Sequence, residues 1–566
     1  MSGSWTEYDG DAYWQWSEIK SWCTAIANAN PEWVTIDYVG QSGEGEPLIL
    51  LTIGHNDGHQ DDRPGLWLDG GTHASEWTGV MSAVYTVSQW VQALARGDAS
   101  DIDFFTHHTA YVMPCISPDG FAATMKGHPF MRSSKRSPPS EGALVGLEAQ
   151  DLDGDGVVRW MRWKDPAGPF VEDPDLPVFM RPRTLEDDPA DAYFVCDEGL
   201  FLNWDGHRWI QAKRRFGLDL NRNFPAHWSP FSMFGMDGGR YPLSAPESRA
   251  VVDAFARRPR IGAGMTNHTY TGCILTQPYR KDTPLDTPDI LLFERLAHQL
   301  VKGTDYRVFR TYPEFAYDLK KAVVGVWSDT MSTTFGIPGY TLELWDPCAF
   351  AGVTNDKPAE MFLRPDPEKI RTMFKAFAEI DGAVAPWTAF EHPQLGPVEL
   401  GGLDYMRTVR NPPTALLAQE CRRGFSAVNT LRKSLPSVKI NVTVTTLADE
   451  LYRIDACLEN VGFLATSGSQ HGQTLPGTPA VQARLQMEDA TLVSSASEIV
   501  LEHLQGWGSI HPGGPHSVYP SLPSQGHRSL ASWSVKGRGA FAIEWSGGRG
   551  GRGVYRGILP TGSEET

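Results

Sequence analysis

The chain has 566 residues, with 50 Lys and Arg against 68 Asp and Glu, and its formal net charge is −18 at pH 7. Apolar residues make up 41% and charged residues 21%, as in a globular protein of two or three domains rather than a disordered or fibrous chain. The acidic balance argues against a nucleic-acid partner, because phosphate contacts need clustered Lys and Arg. No apolar run approaches the about 20 residues that a membrane-spanning helix needs.

The first 390 residues alternate strand-like and helix-like segments. Apolar strands are predicted at 65–68, 110–116, 261–265 and 339–344, and helices at 77–95, 246–257, 289–302 and 368–380. This alternation predicts an α/β fold with a mixed, mostly parallel sheet flanked by helices. Beyond about residue 395 the helical signals become sparse, and short β-branched segments lie between Gly, Pro and Ser clusters, as in a β-sandwich.

We therefore expect two domains, a first over residues 1–390 and an all-β, sandwich-like accessory domain over residues 395–566, with the boundary near residues 386–400. Residues of about 134–212 are rich in Pro, Asp and Trp and show little periodicity. At this length the segment is predicted to be an insertion or lid rather than a simple loop.

The seven cysteines are scattered, with no Cys-x-x-Cys spacing. This sparse set indicates buried thiols in a reducing compartment rather than a disulfide scaffold or a thiolate zinc site. The acidic, aromatic amino terminus has neither the basic nor the apolar region of a secretory signal. We expect a cytoplasmic protein.

The motif His73-Ala74-Ser75-Glu76 lies just beyond the predicted strand 65–68. A His and a Glu three residues apart can face one point if a helix begins there, and zinc accepts this nitrogen and oxygen pair. Ligands of open α/β sheets gather outside the carboxyl ends of strands, where this motif falls. The alternative is a solvated His followed by a Glu at a helix N-terminus.

Three further segments carry chemistry. His268 follows the apolar run 261–265 and offers a third ligand, or else is a core histidine. Asn221 and Arg222 provide an amide and a bidentate guanidinium, which together recognise a carboxylate, although a structural surface Arg is the alternative. Glu343 lies inside an apolar strand, where a carboxylate is costly unless paired or protonated; it is a general base or an edge residue facing water.

In this order, the motifs resemble those of the zinc carboxypeptidases, the family of carboxypeptidase A, over roughly residues 10–385 apart from the insertion. The resemblance implies a carboxypeptidase-like fold, one catalytic Zn²⁺, and hydrolysis of the C-terminal peptide bond of peptides or proteins. The implied zinc ligands are His73, Glu76 and His268, with Asp219 bonded to the first histidine, Asn221 and Arg222 holding the terminal carboxylate, Glu343 as general base and later acid, and Arg132 stabilising the oxyanion. Arg132 is reached by counting on from the turn at residues 117–121, which is similar to a conserved turn of the family.

Some positions depart from the family pattern. The mobile tyrosine of the family falls on Lys321 by direct spacing, so Tyr317 is the substitute that we predict. Ser75 stands where the first zinc motif often carries an arginine. Asp329 falls about where the family sets its specificity pocket, and it would either favour a basic terminal residue or have a structural role.

The insertion contains Asp151, Asp153 and Asp155 at alternate positions, with glycines between and after them. This is the first half of an EF-hand-like loop and makes a candidate Ca²⁺ site, but Arg162 stands where the closing Glu would be, so a polar turn is the alternative. If the insertion folds over the cleft, only short or extended peptide tails would be able to enter it.

Two other functions remain open. The chain could be an amidase or deacylase of the same fold that acts on small N-acyl amino acids or cell-wall peptides, although the segment 219–224 favours the peptidase. It could also be an inactive homologue that binds zinc or peptides. The Gly-Arg-Gly tract at residues 547–553 is predicted to be a turn between strands rather than an RNA-binding segment.

Overall fold

The structure is a computed structural model, and it describes residues 5–128, 130–134, 144–213, 216–233, 236–316, 323–494, 496–509 and 526–560. The strands of these residues are β1 (Val34–Gln41), β2 (Pro47–Ile53), β3 (Gly65–Gly70), β4 (Thr109–Met113), β5 (Gly146–Ala149), β6 (Trp160–Lys164), β7 (Phe170–Asp173), β8 (Leu176–Pro182), β9 (Ala192–Asp197), β10 (Gly199–Leu202), β11 (Ser232–Met233), β12 (Met236–Asp237), β13 (Ile261–Thr269), β14 (Cys273–Thr276), β15 (Arg307–Arg310), β16 (Gly339–Leu344), β17 (Val384–His392), β18 (Gly396–Leu403), β19 (Val438–Ala448), β20 (Leu451–Asn460), β21 (Val481–Met487), β22 (Ala490–Leu492), β23 (Glu498–Leu501), β24 (Arg528–Gly537), β25 (Ala540–Gly547) and β26 (Arg552–Ile558). The α-helices are α1 (Trp16–Ala29), α2 (Trp77–Ala95), α3 (Ala99–His107), α4 (Pro118–Thr124), α5 (Pro246–Ala256), α6 (Thr287–Leu300), α7 (Thr311–Glu314), α8 (Trp327–Thr333), α9 (Pro347–Phe350), α10 (Pro358–Leu363), α11 (Pro367–Ala378), α12 (Thr414–Leu431) and α13 (Gln470–Gln473).

The main sheet has eight strands in the order β1-β2-β4-β3-β13-β16-β14-β15. Its central strands β4, β3, β13 and β16 are parallel, whereas β1, β2 and β14 make antiparallel pairs. Apolar side chains of α1, α2, α6 and α12 cover one face, and those of α5 and α8 cover the other. The predicted α/β fold with a mixed sheet flanked by helices is confirmed.

The carboxyl ends of β3, β13 and β16 meet at one edge of this sheet because the three strands are parallel neighbours. In the register of β13 and β16, His268 is paired with Glu343. Helix α2 follows β3 and lies close to β13, since a Cβ at Gly79 would be 2.7 Å from the carbonyl oxygen of Asn267. The first turn of α2 is thereby held against the end of β13.

The insertion forms strands that the lack of periodicity did not predict. Four of them join the hairpin β17–β18 in a six-stranded sheet ordered β17-β18-β6-β9-β7-β8, in which Arg162 is paired with Glu399. These strands have four to seven residues each, too short for a clear alternation of apolar and polar positions. The insertion is therefore tied to a hairpin more than 200 residues further along the chain.

The expected domain boundary at residues 386–400 falls within the hairpin β17–β18. The expectation of sparse helices beyond residue 395 is wrong for α12, which packs on α2 so closely that a Cβ at Gly424 would lie 2.1 Å from the Ser82 hydroxyl. The division into two domains stays a proposal, and this packing favours a boundary close to Val438.

From Val438 onward the chain forms two four-stranded antiparallel sheets, β19-β20-β24-β22 and β23-β21-β25-β26. Apolar side chains from both sheets share one core, which confirms the predicted sandwich-like architecture. All seven cysteines are free thiols, and five of them are buried. Among the described helices, none combines the length and the apolar character that crossing a membrane requires.

Candidate active site

Three side chains converge at the carboxyl edge of the main sheet. Nδ1 of His73 lies 2.9 Å from Oε1 of Glu76, and Nδ1 of His268 lies 2.9 Å from both Oε2 of Glu76 and Nδ1 of His73. The three residues are almost fully buried, at 1 to 3% exposure. Two imidazole nitrogens and a carboxylate that face one point match the donor set of a catalytic zinc, in which a fourth position stays open for water.

The outer nitrogen of each histidine is held by a buried partner. Nε2 of His73 lies 3.2 Å from Oδ1 of Asp219, and Nε2 of His268 lies 3.3 Å from the Thr266 hydroxyl, which donates to Asp69. Such contacts fix the tautomer and leave the Nδ1 lone pairs for a metal. The predicted position of Asp219 next to His73 is thus observed in the structure.

Sequence reasoning missed Thr266 and Asp69. Asp69 is fully buried, and its carboxylate also accepts hydrogen bonds from the indoles of Trp67 and Trp327. Burial raises the pKa of Asp69 to about 6, although these bonds oppose the shift. A signal was available, because Asp69 ends an apolar strand just as Glu343 does.

Neighbouring charges lower the pKa values of the two carboxylates of Glu76 and Asp219. Burial alone would raise the pKa of Glu76, but His73 and His268 hold it well below its usual range. Burial opposes ionisation of Asp219 as well, and there Arg132 and His73 keep the pKa well below normal. Arg132 partly balances the negative charge of these two carboxylates.

Glu343 lies next to the cluster on the neighbouring strand and lines the same cavity. Burial raises its pKa to about 7, with His268 opposing the shift. A carboxylate poised near neutral pH is suited to accept a proton and return it.

Two predicted guanidiniums border the cavity. Arg132 lies 3.2 Å from Oε1 of Glu76 and 3.1 Å from Oδ2 of Asp219. Arg222 donates to the carbonyl oxygen of Asn221 at 2.8 Å, and its Nε has no protein partner within the described part of the chain. The Asn221 side chain is turned into the fold, where its Oδ1 accepts from a backbone amide of α8 at 3.0 Å.

The cavity has a volume of about 630 Å³. Glu76, Arg132, Arg222 and Glu343 line the cavity together with residues of the insertion and of the chain from Leu403 to Arg410. The lining residues from these two segments are Glu148, Ala149, Gly156–Trp160, Asp197, Gln211, Leu403–Arg407 and Arg410. The insertion thus forms part of the cavity wall.

Other predicted residues are not brought into this arrangement. Asp329 is fully buried and accepts hydrogen bonds from Gln277 and His227, at 2.8 and 2.9 Å, so its specificity role stays a prediction that these contacts do not favour. Tyr317, and with it Lys321, lies outside the described residues.

The acidic turn of the insertion differs from the predicted calcium loop. Asp151 and Asp153 lie close to the buried Glu198, whereas Asp155 is paired with Arg159. Acidic side chains often gather in turns without an ion, and nothing else in this turn indicates one. Calcium therefore remains a prediction without support.

The sequence was compared with known families and structures. A model described as "Zinc carboxypeptidase" matches residues 19–163 and 200–373, more than half of the chain. The chain belongs to the zinc carboxypeptidase family. A second model, described as a domain of unknown function (DUF8731), matches residues 438–554, which cover most of the sandwich.

The zinc carboxypeptidase match extends to individual relatives. Carboxypeptidase B of Astacus astacus is 30% identical over 152 residues, which are 27% of this chain and 47% of that protein, and human carboxypeptidase O is 25% identical over 350 residues, 60% of this chain and 72% of that protein. The crystal structure of carboxypeptidase A from Helicoverpa armigera aligns with 66% of this chain and 75% of its own, at 18% identity and a TM-score of 0.38. The chain thus spans about half the length of the crayfish relative.

Proposed function

We propose that the chain is a zinc metallocarboxypeptidase, a hydrolase that removes the C-terminal residue of peptides or proteins. The observation that carries the proposal is the convergence of the three candidate metal ligands, one of which, Glu76, lines the same cavity as Glu343, Arg132 and Arg222. Family membership supports the same activity.

Each group has a distinct task in this proposal. His73, Glu76 and His268 would hold a zinc ion, which would supply activation of a water and polarisation of the peptide carbonyl. Glu343 takes the proton of the attacking water and returns it to the leaving amine. Arg132 stabilises the negative charge that develops on the carbonyl oxygen.

The terminal carboxylate of the substrate is the proposed partner of Arg222. A guanidinium binds a carboxylate through two parallel hydrogen bonds, and the orphan Nε of Arg222 is one donor available for them. An internal peptide bond offers no carboxylate at this position, so cleavage is restricted to the end of the chain. The backbone carbonyl of Asn221 positions the guanidinium.

The test compares three substrates with the zinc-loaded protein: a blocked dipeptide, its C-terminal amide, and an N-acyl amino acid that represents the amidase alternative. We expect hydrolysis of the dipeptide, loss of hydrolysis with a zinc chelator, and little cleavage of the amide. The isosteric variant Glu343→Gln should retain zinc and lose about 100-fold or more in kcat/KM.

Three results would contradict the proposal. Equal cleavage of the acid and the amide would exclude a carboxylate clamp at Arg222. Activity that survives the chelator would exclude zinc, and full activity of Glu343→Gln would exclude that residue as the base. Exclusive cleavage of the N-acyl amino acid would favour the amidase.

We further propose that the insertion narrows the entrance of the cavity, so that only extended C-terminal tails can enter it. Deleting residues 140–205 would remove the strands that pair with β18, so a point variant is the better test. Trp160 lines the cavity, and Trp163, on the same strand, is not among its lining residues. Trp160→Ala should raise kcat/KM for a folded protein relative to a short peptide, and Trp163→Ala should not. Equal ratios in both variants would argue against the restriction.

A further inference from the structure

A segment beyond the family match borders the metal centre. It runs from Asp404, just after β18, to Asn411, and family similarity ends at residue 373. The Asn411 side chain accepts from the Thr78 amide at 3.0 Å and donates to the Ser75 carbonyl at 2.9 Å. These bonds attach the segment to the loop that carries two of the candidate ligands.

Arg410 extends from this segment into the cavity. Its side chain is 10% exposed, and its guanidinium lies over the rings of Phe130 and Tyr270, at 4.8 and 5.1 Å from their centroids. Stacking on aromatic rings holds a guanidinium in one orientation. Arg410 is therefore an oriented cation in the wall of the cavity.

The protein satisfies this guanidinium only in part. One terminal nitrogen lies 3.3 Å from Oε1 of Glu76 and 3.4 Å from the Thr269 carbonyl oxygen, and Nε has no protein partner within the described residues. Oε1 of Glu76 is already shared with His73 and Arg132. A buried donor without an acceptor is costly, so an acceptor supplied by a ligand would stabilise the arrangement.

The position of Arg410 relative to Arg222 indicates which part of a ligand it meets. Contacts connect Arg222 with Asp219 along the chain, Asp219 with His73, His73 with Glu76, and Glu76 with Arg410. The Arg410 guanidinium contacts the candidate metal ligand Glu76, whereas the Arg222 guanidinium donates to the Asn221 carbonyl oxygen. With the terminal carboxylate at Arg222, the peptide on the other side of the cleaved bond is the part that approaches Arg410.

We propose that Arg410 is a substrate-binding residue whose guanidinium donates a hydrogen bond to an oxygen of the peptide on the amino-terminal side of the cleaved bond. The acceptor is the carboxylate of an acidic side chain or a backbone carbonyl, both of which suit a guanidinium donor. The inference rests on the proposed function, and it adds a residue that neither the motifs nor the family match includes.

The test measures peptide binding separately from hydrolysis. In the zinc-loaded Glu343→Gln background, calorimetry gives the affinity for a blocked peptide with Glu, Gln or Ala immediately before the C-terminal residue. Adding Arg410→Gln should weaken binding by about tenfold or more, as expected for the loss of a charged hydrogen bond. In the protein with Glu343 intact, the same change should raise KM more than it lowers kcat.

Two variants separate binding from a structural role. Arg410→Lys keeps the charge beside Glu76 but loses the planar donor pair, and an intermediate loss of affinity is expected. Arg371→Gln is the control for loss of a charge elsewhere, because the Arg371 guanidinium is paired with Asp173 at 2.7 Å and Arg371 is not among the residues that line the cavity. It should bind the peptides as the parent protein does. Zinc content is measured for every variant.

The outcomes are distinct. A loss confined to the Glu peptide identifies the side-chain carboxylate, and an equal loss for all three peptides identifies the backbone carbonyl. Unchanged affinity and KM in Arg410→Gln would overturn the inference, as would a loss that follows only from lower zinc content. Failure of the parent protein to bind or cleave any of the peptides would instead overturn the proposed carboxypeptidase.

Discussion

The guanidinium of Arg549 joins the β-sandwich to the α/β part of the protein. It donates to the carbonyl oxygens of Pro259, Ile261 and Phe335 at 2.6 to 2.7 Å, and to Ser467 within the sandwich at 3.2 Å. The residue is 3% exposed, and burial lowers its pKa to about 10, so it remains charged at neutral pH. The Gly-Arg-Gly tract is thus a turn between two strands, as predicted, and its arginine is a domain contact.

Replacing Arg549 by Ala removes all four hydrogen bonds and leaves buried carbonyl groups without donors. At about 1 kcal/mol net for each bond, the loss is about 4 kcal/mol, and relief of the desolvation of the guanidinium offsets part of it. We expect the free energy of unfolding to fall by about 3 kcal/mol. Ile261 begins β13 and lies seven residues before His268, about 23 Å along the strand, so kcat/KM should not change.

Urea unfolding followed by tryptophan fluorescence measures this loss, with kcat/KM determined on the same preparations. Arg552→Ala is the matched control from the same turn, because Arg552 is 58% exposed and pairs with Asp62 on the surface. That change should cost no more than about 1 kcal/mol. Equal effects of the two substitutions, or a loss below about 1 kcal/mol for Arg549→Ala, would refute the reasoning.

Three other predictions concern the active site. Asp219→Asn weakens the hydrogen bond to His73 and should lower zinc affinity about 10- to 100-fold in a metal titration, with activity restored by excess zinc. An unchanged zinc affinity would contradict this prediction. Because burial raises the pKa of Glu343 to about 7 and the base must be ionised, kcat/KM should fall as the pH drops below about 7, or below a lower value if the metal stabilises the carboxylate. An acid limb that persists in Glu343→Gln would assign it to another group. Asn411→Ala removes bonds to Ser75 and to the start of α2 and should lower the free energy of unfolding by about 1 to 2 kcal/mol, and a denaturant midpoint equal to that of the parent would count against this role.

The sequence predicted the metal cluster because its members stand at strand ends. In a parallel sheet, neighbouring strands end at one edge, so a polar residue that closes an apolar run has a predictable location. His73, His268 and Glu343 follow this rule, and the structure brings them together. Helix α12 could also have been found, since its buried residues Leu417, Cys421 and Val428 recur at helical spacing.

Other contacts left no local signal. Arg410 contacts Glu76, 334 residues away in the sequence, and Asn411 contacts Ser75, 336 residues away. The segment that carries them has no strong periodicity. Each side chain reaches its partner only when the six-stranded sheet that contains β18 and the insertion strands has positioned the residues that follow β18. Such placement depends on tertiary packing, which a single sequence does not reveal.

Two segments that lie outside the family match contribute side chains to the wall of the cavity. The candidate ligands and Glu343 belong to strands and loops within the family match, whereas residues 164–199 and the segment from Asp404 to Asn411 lie outside it. In the proposed reaction, the first group cleaves the bond and the second controls access to the cavity. Substitution of Arg410 should therefore change which peptides bind more than it changes kcat at saturation. A variant in this wall that lowered kcat without affecting KM would show that the two sides of the site are not separable in this way.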